Sequence, residues 1–408
     1  MIILGIDTSC DETALAILRM NKGKLEILSN VISSQIEIHR KYGGVYPTLA
    51  KREHQRNLVP VLKEALLKAK LLKLKTKNQK LKIQQTKSQK LGDILKKEEV
   101  LYGKLKEFLE KYQKPKIDLI AVTTGPGLEP CLWQGINFAK ALAFWWNLPI
   151  VGVNHIEGHI FANFIDRNSK FQLPSSKQIT NSNDQNSKQL LFPAVCLVVS
   201  GGHTQLILMK KIGKYKIIGE TRDDAAGECF DKTARILGLS YPGGPAIAQQ
   251  AERGKFQTPN PKFQIRLPLP MINSKDYDFS FSGLKTAVLY EFKKQSQKKR
   301  ISKQYIKEMA KEIQQAIIDV LIKKTIKAAK NYKVKSILLG GGVAANKELR
   351  KQFKREVKKE VPKLLFIIPK PKFCTDNAVM IAVTGYFHRK KASKNWQKIV
   401  ADANLKIG

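Results

Sequence analysis

The chain has 408 residues, more than one hydrophobic core ordinarily organises, and its 43% hydrophobic and 8% aromatic content excludes a wholly disordered polypeptide. Lys and Arg number 73 against 34 Asp and Glu, and the formal net charge of +39 either draws polyanions or reflects a lysine-rich background. The five cysteines, Cys10, Cys131, Cys196, Cys229 and Cys374, form no C-x-x-C pair, which excludes a disulfide framework or a zinc knuckle and fits a reducing compartment.

In chain order, Ile2 to Asp7 reads as a strand with no basic leader before it. A polar turn follows, Thr8-Ser9-Cys10-Asp11-Glu12, then apolar runs at Ala14 to Leu18 and Leu25 to Val31. Leu58, Leu62, Leu66 and Ala69 carry helical spacing, and Leu119 to Thr123 is a strand ending in Gly125-Pro126-Gly127. The second half repeats the plan: strand Ala194 to Val199, turn Ser200-Gly201-Gly202-His203, strands Gln205 to Met209 and Tyr215 to Ile218. A helix with Ile306, Met309, Ile313, Ile317 and Val320 on one face comes next, then strand Ser336 to Leu339 before Gly340-Gly341-Gly342. A repeated β-β-β-α-β-α unit predicts an α/β protein of two related lobes around a central cleft where ligand sits. The expected division is 1–153 for the first lobe, 154–375 for the second and 376–408 as a C-terminal helical segment returning to the first. Two stretches interrupt the repeat. One is a basic insertion at about 71–116, in which Leu71 to Gln89 holds six lysines and reads as a mobile or helical excursion, either merely solvated or an arm touching phosphates. The other is a Ser/Asn/Gln/Lys-rich loop at 169–188, read as solvated. No apolar run reaches roughly 18 residues, so a cytoplasmic chain without membrane contact is expected.

Chemistry-bearing residues cluster at strand ends. His155 and His159 stand four apart, on one helical face, and can share a metal, with Asn154 and Glu157 at the spacing of an N-cap and its box partner. Taken alone, such a pair is also an ordinary polar feature, and without a Glu directly after the first His it gives peptide hydrolysis weak support. Asp376, at a helix start, can supply a third, carboxylate ligand. Val198-Val199-Ser200-Gly201-Gly202 exposes backbone N–H groups that can cradle a phosphate or carboxylate, or forms a plain hairpin turn. The glycine run Gly340 to Gly342 lets a nucleotide approach a helix start, where Asn346 can bond a sugar or base edge. No G-x-x-x-x-G-K-[ST] loop is present, which argues against a Walker-type NTPase.

In combination these segments carry a resemblance. Gly5 to Ala14, His39 through Tyr42-Gly43-Gly44-Val45, Asn154-His155 to His159, Ser200 to Thr204, Asp223 to Asp231, Tyr241 to Pro245, Asp278 to Ala287, Gly340 to Asn346 and Thr375-Asp376-Asn377 occur in order from the first residues to about Tyr386. Together they resemble the bacterial tRNA adenosine threonylcarbamoyltransferases, a family of the actin-like (RNase H-like) fold once described as glycoproteases. The resemblance implies transfer of a threonylcarbamoyl group from threonylcarbamoyl-AMP to the exocyclic amine of the adenosine 3′ of the anticodon, in tRNAs reading A-starting codons. It implies one divalent metal per subunit, iron first and zinc as the alternative, on His155, His159 and Asp376. Substrate-binding positions fall on Val198, Val199, Ser200, Gly201, Gly202, Asp231, Gly244 and Asn346. Asp11 and Glu12 are candidates for orienting or deprotonating the attacking amine, or else simply stabilise a turn. The implied partners are tRNA, a catalytically inactive paralogue and a small P-loop ATPase. The chain departs from the family pattern at Thr48, Lys51, Glu129 and Pro130, in segments where the family meets its partners. Rival readings, a kinase or ATPase of the same fold, a metalloprotease and a non-enzymatic tRNA-binding scaffold, fit the residue set less well.

Overall fold

The computed structural model describes residues 1–21, 24–76, 85–165, 190–254 and 265–408. They divide into two α/β units. One comprises Met1–Glu37, the described part of Val45–Gln189 and Asp376–Ile407; the other comprises Ile38–Gly44, the described parts of Leu190–Thr375, and Gly408.

In the first unit, β1 (Ile2–Asp7) pairs antiparallel with β2 (Glu12–Asn21), and β2 pairs antiparallel with β3 (Lys24–Ser34). On its other side β1 pairs parallel with β4 (Leu119–Gly125), and β4 with β5 (Ile150–Asn154), for the order β3-β2-β1-β4-β5. The second unit repeats this around β6 (Ala194–Val199). That strand pairs antiparallel with β7 (Thr204–Lys211), which pairs with β8 (Lys214–Glu220); on its other side it pairs parallel with β9 (Ser336–Gly340), which pairs with β10 (Leu365–Ile367). The two sheets therefore share one strand order, the duplicated α/β architecture that the repeat in the sequence predicts. The central strands β1 and β6 are almost continuously buried and apolar, as strands covered on both faces must be.

Each unit has its own core. Leu4, Ile6, Leu15 and Ile17 of the first sheet pack with Leu58, Leu62 and Leu66 of the helix Pro47–Lys68. In the second, Val195, Leu197 and Val199 pack with Met309, Ile313 and Ile317 of the helix Lys303–Asn331. Ile306, expected on that face, is only half-buried, and Tyr305 takes the place.

One sequence-based expectation needs correction and another is sharpened. The boundary at 153/154 falls inside the first unit, because the helix His155–Phe161 continues directly from β5 and packs on the helix Ala378–Phe387. The basic insertion is helical at Gln85–Ile94 and Glu99–Lys111, as one of its readings expected, and beyond Gln89 it joins the core. These helices place Leu91, Leu101, Leu105 and Phe108 in the first core, and Lys75 donates to the Leu109 carbonyl at 2.6 Å. Residues 77–84 and the 169–188 loop lie outside the described residues.

Candidate metal centre

The helix His155–Phe161 begins at Asn154, the last residue of β5. The Asn154 side-chain oxygen accepts the Glu157 N–H at 3.1 Å, and its amide donates to the Leu405 carbonyl at 3.2 Å. His155 and His159 follow on one face, with ring centroids 4.6 Å apart and planes at 77°. Asp376 arrives from the far end of the sequence. Beside it, Asn377 caps the helix Ala378–Phe387 by accepting the Met380 N–H at 3.1 Å. That helix lies directly against β1 because Gly5 has no side chain: a Cβ there would stand 2.3 Å from the Ala378 carbonyl oxygen.

The outcome is a compact ligand set. Asp376 Oδ1 lies 3.4 Å from His155 Nε2 and 3.3 Å from His159 Nε2, and one donor atom from each of the three residues falls within 4.8 Å of the others. His159 is fully buried, and neither of its ring nitrogens has a hydrogen-bond partner. An unpaired buried polar group costs about 1–3 kcal/mol, so these orphaned nitrogens fit a cation rather than a packed core. Two imidazoles and one carboxylate suit a single divalent metal with open positions, and iron and zinc both accept such donors.

The electrostatics agree. Burial works against a charged His155, but Asp376 and Asp7 outweigh it and raise its pKa to about 10. Burial, the largest influence on His159, holds it below its ordinary value, so it stays neutral. Burial also opposes ionised Asp376, yet His155 and His159 hold its carboxyl well below the usual range. Metal at His155 must therefore displace one proton near neutrality. We expect affinity for Zn²⁺ or Co²⁺ to rise roughly tenfold per pH unit from about pH 7 toward the His155 value, checked by chelator competition at two pH values.

The Thr8 to Glu12 turn belongs to the same unit. Asp11 is buried and Glu12 half-buried. Burial first, then Asp11 and Asp376, push the Glu12 carboxyl well above its ordinary value, so the turn and the candidate metal ligands share one electrostatic neighbourhood. His54, fully buried, ties the turn in place through the Thr13 hydroxyl at 2.7 Å and the Cys10 carbonyl at 3.0 Å. Glu157 pairs with His388 Nε2 at 2.7 Å and so links the histidine helix to the end of the helix Ala378–Phe387. Nothing in the sequence pointed to His54 or His388, whose partners lie 41 and 231 residues away.

In the second unit the glycine turns come together because β6 and β9 run parallel, with Val198 opposite Gly340. Gly341, at φ +89°, brings its backbone so close that a Cβ would stand 2.3 Å from the Val199 carbonyl oxygen. Ser200 N–H closes the other turn on the His203 carbonyl at 2.8 Å, and Gly201 and Gly202 are exposed, with open space where a side chain would be. Asp231 Oδ1 accepts the Gly243 N–H at 2.6 Å, which brings Asp231 and Gly244 to one place. Asn346 partly builds its own turn: its oxygen accepts the Leu349 N–H at 2.9 Å and its amide donates to Gln314 at 2.8 Å. Asp223 accepts from the hydroxyls of Ser280 at 2.5 Å and Ser282 at 2.6 Å and from the Phe281 N–H at 2.8 Å, pinning the Asp278 to Ala287 segment to the Asp223 to Asp231 segment.

The amino-acid sequence matches the family described as tRNA N6-adenosine threonylcarbamoyltransferase over residues 26–76, 99–180 and 175–383. The chain belongs to that family. The gap in the match at 77–98 overlaps the lysine-rich segment Leu71 to Gln89. Proteins of that name from Thermosipho africanus and Bacillus subtilis are 43% and 42% identical to this chain over 407 and 386 residues, spanning 100% and 94% of this chain and 100% and 90% of their own lengths. One from Syntrophomonas wolfei is 41% identical over 387 residues, 95% of this chain and 92% of its own. Among solved structures, T.kodakarensis HypF covers 97% of this chain and 48% of its own at 12% identity, with a TM-score of 0.49. Among the described residues of this threonylcarbamoyltransferase family member, no helix is long and apolar enough to cross a membrane.

Proposed function

We propose that this chain transfers the threonylcarbamoyl group of threonylcarbamoyl-AMP to the exocyclic amine of the adenosine 3′ of the anticodon, in tRNAs reading A-starting codons. The observation that carries this reading is the His155, His159 and Asp376 set, with its orphaned buried nitrogens, in a member of the threonylcarbamoyltransferase family. When bound, a divalent metal supplies Lewis-acid stabilisation of developing negative charge. The remaining work falls to the protein. An acyl adenylate is already activated, so Val198, Val199, Ser200, Gly201, Gly202, Asp231, Gly244 and Asn346 need mainly to bind and orient it, with backbone N–H groups toward its anionic groups. Asp11 and Glu12 orient the amine and accept its proton late in the transfer.

The decisive experiment supplies the chain with tRNA, threonine, bicarbonate, ATP, the adenylate-forming enzyme, the inactive paralogue and the small P-loop ATPase. The modified nucleoside, read by mass spectrometry, should form with the natural chain and be lost with His155→Ala. Equal yields from the two would end the proposal.

Part of the positive charge then has an object in tRNA. In the Lys293, Lys294, Lys298, Lys299 and Arg300 cluster only the first three side chains are exposed; Lys299 lies 5.9 Å from the Tyr305 ring and Arg300 turns back to the Gln295 carbonyl at 2.8 Å. Replacing Lys293, Lys294 and Lys298 with Gln should flatten the log–log salt dependence of tRNA binding by roughly 0.7–0.9 per lost phosphate contact. An unchanged slope would return these lysines to ordinary solvated surface.

A further inference from the structure

Asp7 ends β1 at 1% exposure. Its Oδ1 accepts the Ser9 N–H at 3.2 Å and the Thr123 hydroxyl at 2.9 Å, so the carboxylate cannot rotate freely. Its Oδ2 is buried without a hydrogen-bond partner, and so is His155 Nδ1. These two atoms face each other at 3.6 Å. They meet on the ring edge opposite Nε2, the atom that lies 3.4 Å from Asp376. A neutral imidazole that gives its Nε2 lone pair to a cation carries its single proton on Nδ1, and that proton needs an acceptor. Among polar atoms, a locked carboxylate oxygen is the acceptor best suited to it, and outer partners of this kind commonly set a ligating histidine's tautomer and ring orientation.

We propose that Asp7 is a positioning residue of the metal centre: its Oδ2 accepts the Nδ1–H of His155 and thereby fixes the tautomer that presents Nε2 as a ligand. The inference rests on reading His155, His159 and Asp376 as metal ligands, and it deepens that reading. Asp7 acts through His155.

Asp7→Asn tests it with the shape retained. The two donors to Oδ1 still demand an oxygen there, so the new amide nitrogen takes the place of Oδ2 and turns a donor toward Nδ1. The ring then favours a bare Nδ1 and a protonated Nε2. In the full-length protein, the affinity for Zn²⁺ and Co²⁺ should fall roughly 10–100-fold, the usual scale for outer-partner loss. Thermal unfolding of the metal-free chain should shift by only a few degrees, and adding His155→Ala to the Asp7→Asn chain should cost much less affinity than in the natural one. Undiminished affinity in Asp7→Asn overturns the proposal. Nitrogen NMR of ¹⁵N-histidine-labelled, Zn²⁺-loaded natural protein decides independently of whether the variant folds. His155 should show a protonated Nδ1 and a metal-shifted Nε2; the reverse pattern overturns the inference. If the natural chain and His155→Ala bind Zn²⁺ equally, the metal reading falls and the proposal with it.

Discussion

Replacing His159 with leucine should abolish tight metal binding and reduce threonylcarbamoyl transfer by roughly 10²–10³-fold or more, while leaving the metal-free chain as stable as before or more so. The direction follows from a conflict inside the residue. His159 is fully buried, with neither ring nitrogen in a hydrogen bond, and burial keeps it neutral. In the metal-free fold it is therefore a liability of about 1–3 kcal/mol, which a leucine of similar size removes. In the proposed function it is one of three donor groups, and losing a donor costs more than the roughly tenfold to hundredfold typical of outer partners. The electrostatic help a metal gives to a departing anion is several kcal/mol, which converts to the stated rate loss. Metal affinity by chelator competition, transfer by mass spectrometry and thermal unfolding of the stripped chain are the three readouts. A His159→Leu chain that lost stability while keeping its metal would refute the assignment.

The same residue shows why the site is only partly legible in the sequence. His155 and His159 are four apart, and helical periodicity alone puts them on one face. Asp376 lies 217 positions beyond His159, and nothing in local spacing joins them; only the family resemblance does. What joins them physically is Gly5, whose missing side chain lets the helix after Asp376 lie against β1. The duplicated sheets are legible because each central strand is a short apolar run closed by a polar or glycine turn, a pattern that survives without tertiary context. The domain boundary is not. A strand end followed by a histidine pair looks like the opening of a new unit, whereas packing against a helix 217 or more residues later assigns it to the first. The lysine-rich insertion is half-legible for a related reason: composition reports its lysines, while Leu91, Leu101 and Leu105 anchor the flanking helices in the core. His54, His388 and the Asp7 pairing are invisible in the sequence because each depends on a contact of long sequence separation.

The second prediction with a large effect concerns two glycines of the second unit that look alike in sequence and differ in the fold. Gly341→Ala should destabilise the protein and prevent adenylate binding together. Its φ of +89° costs a side-chain-bearing residue about 1–3 kcal/mol before any contact is counted, and the new Cβ would stand 2.3 Å from the Val199 carbonyl oxygen. That oxygen belongs to the strand end leading into Ser200-Gly201-Gly202, so the clash reaches the other turn as well. Gly201→Val should behave differently. No neighbouring atom lies within 4 Å of the position its Cβ would occupy, its backbone is outside the left-handed region, and its stability should stay within about 0.5 kcal/mol of the natural chain. If the open space above Gly201 exists for the adenylate, the valine fills it and weakens binding by roughly tenfold or more, about 1.4 kcal/mol. Thermal unfolding separates the two glycines first; binding of a non-hydrolysable adenylate analogue then decides the role of Gly201. A Gly201→Val chain with natural stability and undiminished analogue affinity would leave the Ser-Gly-Gly segment as a hairpin turn, whereas lost affinity at natural stability requires a ligand against that backbone.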